Sequence, residues 1–146
     1  WFRMAICHEK LGNLDRAGEC YLRATKIDPT LAIAFNNLGV VNFRQKRTEE
    51  AIGYLNRALA IKPDMALAYA NLADCYNALA RYDDALAACQ KGLSFDGRHV
   101  NLRFALGVTY LGLGHKSLAN EQARLLDSLD KTQADRLRRE IDKAGT

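Results

Sequence analysis

Apolar side chains recur along this chain at helical spacing, and the stripes they form recur in turn. Aligned at a step of 34 residues, Trp1, Phe35, Tyr69 and Arg103 share one column, and Met4, Leu38, Leu72 and Leu106 share the next. Ala5, Gly39, Ala73 and Gly107 follow, then His8, Asn42, Tyr76 and Tyr110. Within each unit these sites stand at i, i+3, i+4 and i+7, the pattern of a helix with one buried face. The second half of each unit carries its own stripe. Ala17, Ala51, Ala85 and Ala119 form an unbroken small-residue column, followed by Tyr21, Leu55, Cys89 and Ala123, then by Ala24, Ala58, Gly92 and Leu126. Small residues opposite Ala5 and Gly39 let two antiparallel helices approach closely, so each unit predicts a helical hairpin.

The units are separated at a constant phase by Asp28-Pro29, Lys62-Pro63 and Asp96-Gly97, and the fourth boundary, Asp130-Lys131, lacks a breaker. Proline disfavours helix in the residue before it, and glycine accepts the conformation of a helix stop. The period divides one domain, residues 1–146, into a first unit at 1–31, whole units at 32–65, 66–99 and 100–133, and a remainder at 134–146. That remainder predicts a short polar helix with an apolar stripe of Ala134, Leu137 and Ile141, started by Thr132 and Asp135 in a capping-box-like arrangement. Covering the exposed end of the last hairpin is its expected role.

Composition supports helices throughout. The chain has 22 Ala and 21 Leu against 16 Val, Ile and Thr combined, which leaves few strand formers. The net charge of +4 is spread thinly along the units, so the concentrated positive field that nucleic-acid binding requires is missing. No apolar run reaches the roughly 20 residues needed to span a bilayer, so membrane insertion is not expected. The four cysteines, Cys7, Cys20, Cys75 and Cys89, form no CxxC pair and read as small buried hydrophobes, which suits a reducing, cytoplasmic compartment. The chain opens on Trp1 without an initiator Met or signal-like segment, as a piece excised from a longer protein would.

The recurring columns resemble the tetratricopeptide repeat, whose signature is an aromatic, Leu-Gly, Tyr, Ala, an aromatic, Ala and Pro at fixed offsets. Residues 32–65 match it closely through Phe35, Leu38, Gly39, Ala51, Leu55, Ala58 and Pro63, and the resemblance extends over residues 1–133. It implies an all-α fold: a right-handed α-solenoid of four helical hairpins plus a C-terminal capping helix. The fourth unit departs from the signature at Arg103, Ala123, Leu126 and Lys131.

Chemistry-bearing motifs are scarce. Cys7, His8 and Cys20 project in different directions and do not converge as metal ligands. Gly107, Gly112 and Gly114 precede His115, Lys116 and Ser117 but lack the Gly-Lys-Ser/Thr ending of a phosphate loop. The acidic pairs Glu49-Glu50 and Asp83-Asp84 complement helix N-termini. No nucleophile, base and oxyanion site assemble, so an enzyme, a cofactor and a metal site are not expected.

Function is therefore expected on the surface. A second stripe lies beside the buried one on the first helix of each unit: Phe2, Ile6 and Glu9; Ile33, Asn36, Val40 and Phe43; Leu67, Ala70, Asp74 and Asn77; Asn101, Phe104, Val108 and Leu111. In tetratricopeptide arrays the first helices line the concave side, so the resemblance implies a groove for an extended peptide or partner helix. Val40 and Phe43 would form one apolar pocket, Phe104, Val108 and Leu111 another, with Asp74, Asn36 and Asn77 as a polar saddle between them. Asn37 and Asn71 share a phase and are similar to the groove asparagines of the O-linked N-acetylglucosamine transferase repeat region, where side-chain amides hold a peptide main chain. The cationic clamp by which related domains grip acidic chaperone C-termini matches this sequence at one place in five. The expected partner is thus a protein or peptide with two apolar anchors around a polar or basic residue. Two other readings are a substrate-recognition arm of a larger enzyme such as a glycosyltransferase, and a homotypic scaffold whose groove takes a helix from a second copy.

Overall fold

The computed structural model describes residues 1–144 and, among them, contains α-helices and no strand. In chain order these are α1 (Phe2–Lys10), α2 (Leu14–Ile27), α3 (Ala32–Arg44), α4 (Thr48–Ile61), α5 (Ala66–Ala78), α6 (Tyr82–Phe95), α7 (Val100–Gly112), α8 (Lys116–Asp127) and α9 (Lys131–Lys143). Consecutive pairs form hairpins, each second helix packs on the first helix of the next pair, and α5 packs on α7. The result is an all-α helical repeat solenoid. None of these helices is long and apolar enough to cross a membrane.

Each hairpin turns through one residue in the left-handed region: Gly12 (φ 75°), Lys46 (φ 66°), Ala80 (φ 55°) and Gly114 (φ 78°), all at the same phase of the repeat. Glycine enters this region freely, whereas a Cβ meets the following carbonyl there. The first and fourth turns therefore have the residue the geometry favours, and the second and third impose strain on Lys46 and Ala80. Gly114 thus has a turn to make.

The second-helix columns are closed throughout. Ala17, Ala51, Ala85 and Ala119 are fully buried, as are Tyr21, Leu55 and Cys89. Gly39 is what lets α3 meet α4, since a Cβ there would lie 2.8 Å from the Leu55 side chain and 3.2 Å from the Ala51 carbonyl oxygen. The first-helix columns behave differently in the first unit. Phe35 and Leu38 are 3% exposed, but Trp1 and Met4, at the same phases, are each 48% exposed. Leu38 packs into a cluster with Cys20 and Tyr21 of the preceding α2, and no described helix plays that part for Met4. Cys7 is also exposed, contrary to the expectation of four buried cysteines, while Cys20, Cys75 and Cys89 are buried and all four are free. Burial pushes the Cys75 and Cys89 thiols up to about 12, so both stay protonated at neutral pH.

The C-terminal segment corrects its sequence reading. Helix α9 starts at Lys131, and its N-cap is Asp130, whose carboxylate accepts from the Gln133 N–H at 3.1 Å. Thr132 and Asp135 lie inside the helix. A side-chain cap therefore ends the fourth unit where the proline was lost. Ala134, Leu137 and Ile141 are buried as expected, and Leu137 fills the space that the missing side chain of Gly107 leaves. Arg103, which stands in the aromatic column, donates to Gln122 Oε1 and to the Gly97 carbonyl, so a polar bridge takes the place of a ring.

Candidate functional site: a cleft over the first helices

Helical spacing sets three short rows of side chains around one cavity of about 930 Å³. Asp74 and Asn77 come from α5, Phe104, Val108 and Leu111 from α7, and Arg136, Glu140 and Lys143 from α9; Phe43 of α3 and Tyr82 of α6 close the ends. Each row follows i, i+3/i+4, i+7 spacing, which puts its members on one helix face. Tyr82 sits here because residue 112 is glycine: a Cβ would lie 2.1 Å from the tyrosine ring. A smaller recess of about 170 Å³ adjoins it, bounded by Gly39, Val40, Phe43, Leu55, Asn71, Asp74 and Cys75. Phe43 and Asp74 border both spaces.

Asp74 is the electrostatic centre of this surface. Its carboxylate reaches solvent but lies in a concavity, where neighbouring protein displaces part of its hydration and raises its pKa from 3.8 to about 6, against the pull of the Arg136 cation. It makes no hydrogen bond or ion pair with a described residue. The Arg136 guanidinium instead lies over the Phe104 ring, 4.6 Å from its centre. Glu140 is paired with Lys143 at 3.2 Å.

The expected asparagines are placed differently from one another. Asn36 is 1% exposed and does not face the cleft as a contact residue. Its Nδ2 donates to Asn37 Oδ1 at 3.1 Å, and its Oδ1 accepts from Asn71 Nδ2 at 2.9 Å. Asn37 Nδ2 donates to Tyr21 Oη at 3.1 Å, and that hydroxyl donates to Glu9 Oε2 at 2.9 Å. Burial, reinforced by the Glu9 acceptor, pushes the Tyr21 phenol up to about 12. A continuous polar run therefore links α1, α2, α3 and α5. Asn37 is committed to this run on both sides of its amide, whereas Asn71 borders the recess and uses one N–H. Asn77 lines the larger cavity, yet its Nδ2 donates to the Ala105 carbonyl at 3.2 Å and its Oδ1 accepts from Thr109 Oγ1 at 3.0 Å.

Of the residues expected at a groove, the structure thus brings Val40, Phe43, Asn71, Asp74, Phe104, Val108 and Leu111 to the two adjoining spaces, with Asn77 held in the wall. The sequence reading missed Tyr82 and the α9 row of Arg136 and Glu140. Their signal lies in the i, i+4 spacing of 136 and 140, on a helix whose expected role is to cover the array, with a partner-binding or membrane-surface helix as the alternative. Tyr21 and Glu9 were missed as polar partners because Tyr21 falls in an otherwise apolar column.

Comparison with known proteins agrees with this architecture. Two family models described as tetratricopeptide repeat match residues 1–64 and 42–99, which together make up well over half of the chain. The anaphase-promoting complex subunit cut9 of Schizosaccharomyces pombe is 32% identical over 127 residues, covering 79% of this chain and 18% of that protein. The crystal structure of the APC/C hetero-tetramer Cut9-Hcn1 superposes with a TM-score of 0.83 at 26% identity, over 98% of this chain and 29% of that one. A tetratricopeptide repeat protein of Thermus thermophilus gives a TM-score of 0.84 at 20% identity, over 98% and 84% of the two chains. The chain spans about a fifth or less of the length of the curated relatives it matches. With four hairpins in phase, the small-residue columns buried and the family models matching residues 1–64 and 42–99, the chain belongs to the tetratricopeptide repeat family.

Proposed function

We propose that the chain is a non-catalytic protein-interaction scaffold that takes an extended peptide or partner helix in the cleft formed by α3, α5, α7 and α9. The observation that carries this reading is the cleft itself: a concave space of about 930 Å³ in which Phe43, Phe104, Val108 and Leu111 stand around the Asp74 carboxylate. Apolar walls with a few convergent polar groups are the usual make-up of a ligand site. Support also comes from the company the fold keeps, since the related Cut9 was crystallised as an assembly with Hcn1.

The partner is a protein or peptide, with Phe104, Val108 and Leu111 receiving one apolar anchor and Val40 and Phe43 a second. Capture of random-sequence peptides by the immobilised chain tests this. Replacing Phe104 and Phe43 together by alanine should lower retention by about tenfold or more, as loss of an aromatic contact in a desolvated centre does. Retention unchanged in a double variant that keeps its helical circular dichroism would sink the proposal.

A further inference from the structure

We infer that the recess between α3 and α5 receives the side chain of an arginine or lysine from the partner, with its charged head at Asp74 and Asn71 and its methylene stem along Val40 and Phe43. This rests on the cleft being the partner site and adds the chemistry of the residue that enters it.

The polar rim of the recess offers acceptors. Asn36 accepts one N–H of Asn71 at 2.9 Å and so fixes that amide. The Asn71 Oδ1 makes no hydrogen bond with a described residue, and among the described residues no side-chain oxygen is buried without a partner, so this atom is open to solvent. Asp74, one turn further along α5, adds two carboxylate oxygens with no ion pair. Behind these acceptors stand Gly39, Val40, Phe43, Leu55 and Cys75, none of which offers a charge at neutral pH. At about 170 Å³ the space equals roughly five or six waters, the scale of a single long side chain.

Charge decides among possible occupants. An apolar or acidic residue seated here would strip Asp74 of its remaining water without replacing it, a cost that raises with burial. A cation restores the lost interaction, and long basic side chains suit a site with an apolar wall and a polar end. Arg136, whose charge acts on Asp74, is held against the Phe104 face and does not line the recess. The elevated proton affinity of Asp74 points the same way, because it reports a carboxylate short of stabilising partners.

The test uses decapeptide pools in which one central position is fixed as Arg, Lys, citrulline, norleucine or Glu and the rest are randomised, captured by the immobilised chain at pH 7.5. The Arg and Lys pools should be retained about fivefold over the other three, the equivalent of about 1 kcal/mol for a partly exposed ion pair. Asp74→Asn should level the five pools, and Asp74→Lys should turn the preference toward Glu, with circular dichroism confirming that each variant folds. A preference for Arg and Lys that survives Asp74→Asn, or equal retention of norleucine by the unaltered chain, would overturn the assignment of the recess while leaving the cleft as a partner site. Retention of no pool above background would overturn both, and Phe104→Ala should lower all five pools alike.

Discussion

At one end of the molecule Trp1 and Met4 are each 48% exposed, whereas at the other Ala134, Leu137 and Ile141 of α9 are at most 2% exposed and cover the last hairpin. At the first end no described helix packs against the outer side of α1, whereas at the other α9 packs on α7 and α8. Burial in this fold is therefore a property of neighbours, and a column of the repeat acquires its energetic weight only where an adjacent hairpin closes over it. The same contrast explains the site. By packing on α7 and α8, α9 adds a third wall beside Asp74, and the large cavity exists at this end alone among the spaces described.

The sharpest way to break the comparison is to truncate one buried leucine of the second unit and one of α9. Leu38→Ala and Leu137→Ala should each cost about 3 kcal/mol in urea unfolding, since both side chains are buried and their loss leaves a cavity. A cost below about 1 kcal/mol for Leu137→Ala would show that α9 does not close the array. The turns give a second contrast. Gly12→Ala should destabilise by about 1 kcal/mol, and Ala80→Gly should stabilise by about 0.5 kcal/mol, because the same left-handed residue is glycine in one turn and alanine in the other. Thermal melts of the two variants should move in opposite directions.

Asp74 gives a pH-dependent contrast between the covered end and the rest. Its carboxyl holds its proton to about pH 6 in the folded chain and to an ordinary 3.8 when unfolded. The folded state thus binds more protons between these values, and stability falls as pH rises through that window. The groups sharing the cavity are Arg136, Glu140, Lys143 and Tyr82, of which Arg136 opposes the shift. Asp74→Asn should therefore raise stability at pH 7.5 by about 1 kcal/mol or less, allowing for solvent screening, and the gain should vanish below pH 4. An equal gain at both pH values would remove the charge from the explanation. The smallest effect belongs to the uncovered end: Met4→Ala should change stability by no more than about 0.5 kcal/mol, against the much larger cost of Leu38→Ala at the same phase.

How much of this was legible in the sequence follows from what periodicity can carry. The hairpins and the alanine columns repeat, and Val40, Phe43, Phe104, Val108 and Leu111 stand at recurring phases of the first helices, so the sequence alone places them on one face. Features that occur once were harder to read. Asp130 caps α9 at a boundary where the repeat predicts no stop, and Arg136 reaches the cavity from a helix outside the 34-residue pattern. Asparagines were read as surface groups because they are polar, yet Asn36 is buried. Its hydrogen bonds to Asn37 and Asn71 replace those it would make to water, and a one-dimensional pattern cannot show that pairing.

The polar run from Glu9 through Tyr21, Asn37 and Asn36 to Asn71, with the separate Asn77–Thr109 contact, has a mechanical consequence. Apolar surfaces tolerate sliding, while hydrogen bonds resist it because they are short and directional. Hairpins stitched this way along one face keep their spacing when the array flexes, so the distance from the recess at Asn71 to the apolar wall at Phe104 is held nearly constant. For the partner site proposed above, such a scaffold would act as a ruler, sorting partners by the separation of two side chains as well as by their chemistry.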